Sequence, residues 1–302
     1  MLGPRLGAHM SIAGGPAKAL ERGHSIGCDA IQIFSRNANR WTSKDLTDED
    51  VEAFAEARAS TGIYPVVAHS SYLINLASPD DALWARSVEA LIVELERCRR
   101  LGVRHYVLHP GAHMDVGEEA GMERVAAGLR RAFEATADAD VMVLLENTAG
   151  QGSALGTTFE QLAWMGEHAA PSARVGVCFD TAHALAAGHE FRDAESYAAM
   201  WRRFDAVVGL ERLRAIHLND AKRDLGSHVD RHEHIGQGCV GLEAFRLLVN
   251  DPALCHVPML LETPKGADMR EDVENLARLR GLIARQPPLE GQTAAIGRRS
   301  EP

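Results

Sequence analysis

Eight short apolar runs separated by longer amphipathic stretches constrain this chain most, because six of the runs stop at a side chain that can bind a metal. These are His69 after YPVVA, His109 after HYVL, Glu146 after VMVLL, Asp180 after VGVCF, His217 after LRAI and Glu262 after PMLL. The runs are apolar and β-branched enough to be buried parallel strands, expected over residues 5–9, 29–34, 64–69, 105–109, 141–146, 174–180, 213–217 and 257–262. Between them, apolar residues at three- and four-residue spacing predict helices over 82–101, 122–137, 158–168 and 269–283. Thr158 with Gln161 reads as a capping box, and Gly62 and Gly102 stand where helices should stop. This alternation predicts an α/β fold, a single (β/α)8 TIM barrel over residues 1–285, with its active site at the C-terminal ends of the strands. Residues 286–302 lack a periodic apolar pattern and read as a flexible tail.

At 302 residues, one large core accounts for the chain better than two small ones. No apolar stretch approaches a membrane span and the N-terminus lacks a signal-peptide layout, so a cytoplasmic protein is expected. Five cysteines, none in a CxxC pair, read as reduced thiols rather than a disulfide framework. The net charge of −10 argues weakly against a nucleic-acid binder, because phosphate contacts need local positive charge. Bound metal would reverse that locally: Glu146, Asp180, Asp230 and Glu262 with three divalent ions leave the site at +2.

Fourteen histidines are many, and only those at strand ends or in tight spacing earn a ligand reading; His24, His105, His168, His189 and His256 are expected to be structural. In CFDTAHALAAG, Asp180 and His183 stand three residues apart. In HLNDAKRDLGSHVDRHEHIGQG, His217 is followed by His228, Asp230, His232 and His234 at alternate positions. If that stretch is extended, all four share one face, and spacing alone does not say which of them bind metal. Imidazole and carboxylate without thiolate suit catalytic Zn²⁺ or Mn²⁺. His69, His109, Glu146, Asp180, His183, His217, Asp230, His232 and Glu262 exceed the needs of one ion, and a cluster of two or three metals suits phosphodiester cleavage.

From GAHMSIAGG through HSSYLINLASP, HPGAH, LLENTAGQGS, FDTAHALAAG and HLNDAKRDLGSHVDRHEHIGQG to LLETPKG, the chain resembles endonuclease IV, the zinc-dependent apurinic/apyrimidinic endonuclease family of base-excision repair. The resemblance covers roughly residues 5–283. It implies three zinc ions: His69 and His109 on one, Glu146 bridging to a second completed by Asp180, His217 and Glu262, and a third held by His183, Asp230 and His232. His228 and His234 fall outside the ligand positions. His9 and Ser11 are expected to support the cluster from beneath. Glu146 and Glu262 are the expected catalytic carboxylates. By the same analogy, a hydroxide between two zincs attacks the phosphorus 5′ to an abasic site and the third zinc stabilises the leaving 3′ oxygen. The products would be a 3′-hydroxyl and a 5′-deoxyribose phosphate, and blocked 3′ ends would be trimmed with the same geometry.

The implied partner is double-stranded DNA carrying abasic sites or blocked 3′ ends, bent and opened by a wedge from Tyr72 and Leu73, with the protein acting as a monomer. Two departures from the family pattern stand out. Arginine is displaced by one position in Asn37-Ala38-Asn39-Arg40-Trp41, so Asn39 takes the place of the inserting arginine and either Arg40 substitutes by a loop shift or one cationic contact is lost; Asn39 and Arg40 are both expected DNA contacts, with weaker duplex penetration and unaltered metal chemistry. Ser70 stands where family members often carry Asp. The alternative is a metal-dependent sugar isomerase or epimerase of the same barrel superfamily, whose sites hold fewer ions and fewer histidines; His183, Asp230 and His232 separate the two readings.

Overall fold

Side chains along a strand alternate faces, so one inward position fixes every second residue after it. In the computed structural model, which describes residues 3–284, the strands are β1 (Leu6–His9), β2 (Ala30–Phe34), β3 (Val66–His69), β4 (His105–Leu108), β5 (Met142–Glu146), β6 (Val175–Asp180), β7 (Leu213–His217) and β8 (Met259–Leu261). All eight pair in parallel and close in the order β1-β8-β7-β6-β5-β4-β3-β2. The predicted barrel is present, with most strands trimmed by one or two residues at an end. The proposed tail at 286–302 lies outside the described residues.

Ala30, Val67, Val107, Leu144, Cys178, Ala215 and Leu260 form a small apolar layer separate from the main core. Small and large residues mix in it, which lets a narrow barrel interior fill. On β1 the same layer is met by Gly7, where a Cβ would sit 1.7 Å from the carbonyl oxygen of Ala30, so only glycine fits. The outward residues of the strands, among them Ile31, Ile33, Tyr106, Leu108, Val143, Leu145 and Phe179, belong to the main core beneath the helices.

The helices expected from periodicity appear as Asp81–Leu101, Glu118–Ala135, Phe159–His168 and Arg270–Leu282, joined by Pro16–Ser25, Asp48–Thr61, Thr181–Ala187, Ala194–Val207 and Gly241–Asn250. Gly62 and Gly102 close their helices in the left-handed region, at φ 69° and 65°. The capping box at Thr158 is only half made: its hydroxyl accepts from Gln161 N, but the Gln161 side chain accepts instead from Gly156 N and Thr157 N. His168 and His189 are structural as expected, stacking on Trp164 and Phe159.

All five cysteines are free. Burial pushes the Cys28 and Cys178 thiols up to about 12 and Cys98 higher still. Since the thiolate is the nucleophile, a thiol-reactive dye should label only the partly exposed Cys239 and Cys255 in native protein and all five after denaturation. Rapid native labelling at Cys28, Cys98 or Cys178 would contradict this packing.

Candidate metal centre

Two residues beyond the apolar layer, each strand or its first following residue turns one polar side chain inward: His9, Gln32, His69, His109, Glu146, Asp180, His217 and Glu262. Period-two alternation thus lifts a ring of eight polar groups onto the C-terminal mouth. Glu146, fully buried, stands at its middle. Its Oε2 lies 3.2 Å from His69 Nε2 and 2.9 Å from His109 Nε2. Its Oε1 lies 3.0 Å from His217 Nδ1, which is also 3.1 Å from Glu262 Oε2 and 3.8 Å from Asp180 Oδ2. The ring therefore contains two compact donor groups, His69-His109-Glu146 and Glu146-Asp180-His217-Glu262, that share Glu146.

A third group, Asp180-His183-His232, adjoins the second through Asp180. Asp180 caps the helix Thr181–Ala187, its Oδ1 accepting from His183 N at 2.8 Å, which explains why a spacing of three brings the two side chains together. Asp230 reaches in with Oδ1 3.3 Å from His183 Nε2 and 3.6 Å from His232 Nε2. His232 stands on a two-stranded antiparallel ribbon, Asp220–Ala221 with His232–Glu233. The stretch before it is not uniformly extended: His228 has φ 52° and directs Nδ1 to the Ala149 carbonyl, while His234 meets the Asn275 amide. Neither joins a donor group, so the four alternate positions do not share one face.

The donors suit a cation. His232 Nε2 is buried with no hydrogen-bond partner, although it lies 3.8 Å from Asp180 Oδ2. A buried imidazole nitrogen that faces carboxylates and has no partner of its own fits a metal ligand. The off-site nitrogens are engaged: His69 Nδ1 on Ser70 O, His183 Nδ1 on Asn147 O and His232 Nδ1 on Glu262 O. Each N–H given to a carbonyl leaves the other nitrogen's lone pair for the site. The backbone oxygen of Ser70 thus does for His69 what a carboxylate side chain could have done. Burial alone would push His183 down and Glu146 up. Asp180, Asp230 and Glu146 around the imidazole, and His109 and His217 around the carboxyl, outweigh it, holding His183 well above and Glu146 well below their ordinary values.

Three supporting residues escaped the reading of the sequence. Gln32 donates from Nε2 to Glu262 Oε1 at 2.5 Å and His9 Nδ1 at 3.0 Å, and its Oε1 faces His217 Nε2 at 2.8 Å. Asn147 clasps the backbone of Asp180 at both N and O, and Asn219 donates to Asp180 Oδ2 while accepting from Glu262 N. His9 Nδ1 lies 3.7 Å from Glu262 Oε1, and the residue lines the cavity over the donors. Ser11 does not support the cluster: it is exposed and its hydroxyl accepts from Ala13 N, closing a local turn.

Above the donors lies a cavity of about 310 Å³ bounded by Phe34, Tyr72 and Lys265 among others. It continues into a groove of about 880 Å³ reached by Asn39 and Ser11. Tyr72 is 69% exposed at their junction and Leu73 is half-buried beside it. Arg40 does not line that groove but borders an adjoining depression with Lys44, Asp50 and Arg97, which meets the groove at Ile12, Arg36 and Asn37.

Fold and site together define the class of this protein, a β/α-barrel enzyme whose strand ends gather nitrogen and oxygen donors able to hold metal. Residues 20–279 match the family model of the xylose isomerase-like TIM barrel. A curated relative from Chloroflexus aggregans, named "Probable endonuclease 4", is 54% identical over 280 residues, covering 93% of this chain and 98% of its own. Endonuclease IV from Thermus thermophilus superposes with a TM-score of 0.81 at 38% identity, over 92% of this chain and 98% of that one. The chain belongs to the endonuclease IV family of nucleases. A D-tagatose 3-epimerase-like protein, at a TM-score of 0.69 and 19% identity, shares the fold alone.

Proposed function

We propose that this protein is a DNA-repair endonuclease that hydrolyses the phosphodiester 5′ to abasic sites in duplex DNA, leaving a 3′-hydroxyl and a 5′-deoxyribose phosphate, and that it also trims blocked 3′ ends. The observation that carries the reading is the run of three adjoining donor groups joined by Glu146 and Asp180. Single-ion chemistry does not call for so many. His69, His109 and Glu146 would hold one zinc, Glu146, Asp180, His217 and Glu262 a second, and His183, Asp230 and His232 a third, with manganese able to replace part of the zinc. Zinc bound there supplies Lewis acidity and lowers the pKa of water toward neutrality.

The protein's own groups do the rest. Glu262, on the cavity wall, and Glu146, between two donor groups, are the carboxylates that would hold and orient the attacking water. Lys265 Nζ, tied to His9 O and Asp272, brings a fixed positive charge to the rim where a phosphate would enter. Tyr72 and Leu73 would open the duplex. No helix among the described residues is long and apolar enough to cross a membrane, and the open groove suits a monomer acting on DNA.

The test is a 5′-labelled duplex with one tetrahydrofuran abasic analogue. A single incision 5′ to the analogue, leaving an end that a DNA polymerase extends, is expected. Intact DNA with metal-loaded protein that instead interconverts ketohexoses would move the protein to the epimerase reading. Because Asn39 lines the groove and Arg40 does not, Asn39→Ala should weaken binding of this duplex several-fold, measured by fluorescence anisotropy at fixed salt. Arg40→Ala should change it by no more than about twofold, the effect of one screened rim charge. The reverse order would show that Arg40 swings into the groove.

A further inference from the structure

The loop between β2 and the helix Asp48–Thr61 has no regular structure, yet five of its carbonyl oxygens accept from arginine side chains. Arg97 donates Nε to Ser35 O at 2.8 Å and Nη1 to Lys44 O at 3.2 Å, and Arg100 donates to Leu46 O. Arg36 donates Nη1 to both Arg40 O and Trp41 O, each at 2.8 Å. Arg97 and Arg100 stand on the long helix Asp81–Leu101, and so does Glu94, whose Oε1 accepts from Arg36 Nε at 2.8 Å. The Oε2 of Glu94 accepts from Tyr106 OH at 2.9 Å. Arg36 is 3% and Glu94 1% exposed.

Taking such a pair out of water is costly, and apolar side chains of similar volume usually serve stability as well. What apolar residues could not do is what Arg36 does with its remaining donors. One guanidinium nitrogen holds the backbone that follows Asn39, and the other approaches Ser71 Oγ at 3.5 Å, next to Tyr72. We infer that the buried Arg36-Glu94-Tyr106 triad is a positioning device that locks the Asn39 loop against the Tyr72 loop, setting the grip on duplex DNA and not the chemistry at the donors. The inference rests on the DNA reading for its ligand. None of the three side chains contacts a candidate metal ligand through a hydrogen bond or ion pair among the described residues.

The test replaces the whole triad with Arg36→Met, Glu94→Leu and Tyr106→Phe, so that no buried charge is left unpaired. Metal content and turnover of bis(p-nitrophenyl) phosphate, a diester with no duplex to grip, should match the parent protein. The Kd for abasic duplex should rise at least about tenfold, since a loop no longer ordered in advance must be ordered on binding. Amide exchange across residues 37–46 should quicken. Arg36→Lys guards against a variant that fails to fold: it keeps the charge but loses the three separate nitrogens that reach Glu94, the loop carbonyls and Ser71 at once, and should show the same split between small diester and duplex, more weakly. An unchanged duplex Kd with a loosened loop would overturn the inference alone, as would parallel loss of metal and small-diester turnover. Parent protein that cleaves the small diester but does not bind abasic duplex would overturn the DNA reading and this inference with it.

Discussion

Glu146→Gln is expected to lower incision of abasic duplex by at least about 10³-fold, because one carboxylate serves two donor groups. One oxygen faces the His69 and His109 nitrogens, and the other faces His217 and, at 3.3 Å, His183 Nδ1. An amide offers an oxygen to one side only and must turn N–H donors toward the other, so at least one of the two groups ceases to be a cation site. It also removes a full negative charge from a fully buried position. Lewis-acid stabilisation by one ion supplies several kcal/mol of barrier, and each 1.36 kcal/mol is a factor of ten in rate. Single-turnover incision and elemental analysis of bound zinc on the same samples would check this. Chelator-stripped parent protein should fall as far and recover with added zinc, whereas the variant should not recover. A variant that keeps its full zinc complement and stays within tenfold of the parent would remove Glu146 from the bridging position.

The barrel and six of the candidate ligands were legible because both follow from strand periodicity. An apolar run that ends in His, Asp or Glu reports its own inward face. Gln32 obeys the same arithmetic, two residues after Ala30 of the inner layer, but glutamine is not a usual metal ligand and so drew no notice. Asn147 and Asn219 follow ligands closely in sequence, yet their partners Asp180 and Glu262 lie 33 to 43 residues away. Hydrogen bonds across such separations leave no local pattern to read. The same holds for the Asn39 loop, whose order comes largely from arginines on a helix some fifty residues further on. Alternation leaves 228–234 open because it holds only for an extended backbone, which His228 breaks. Ser11 shares the GAHMS motif with His9, but β1 ends at His9 and the backbone turns its hydroxyl to Ala13 N.

Gln32 carries the second large effect. Its orientation is dictated by Glu262, which can only accept, so Nε2 must face that carboxylate and Oε1 must face His217. His217 then donates Nε2–H, and the lone pair on Nδ1 is fixed toward Glu146, Asp180 and Glu262. Gln32→Leu fills similar space but leaves the His217 N–H and Glu262 Oε1 short of a buried partner, each costing about 1–3 kcal/mol, and frees the imidazole to adopt the wrong tautomer. Zinc affinity should therefore fall about 10- to 100-fold, measured by competition with a chromophoric chelator. The first loss should come from the group built on His217. Unlike Glu146→Gln, this variant retains every candidate ligand, so saturating zinc should restore most of its incision activity. Unchanged affinity would mean that the ligands orient themselves and that Gln32 only fills the barrel mouth; lost activity that zinc cannot restore would give it a part in the chemistry.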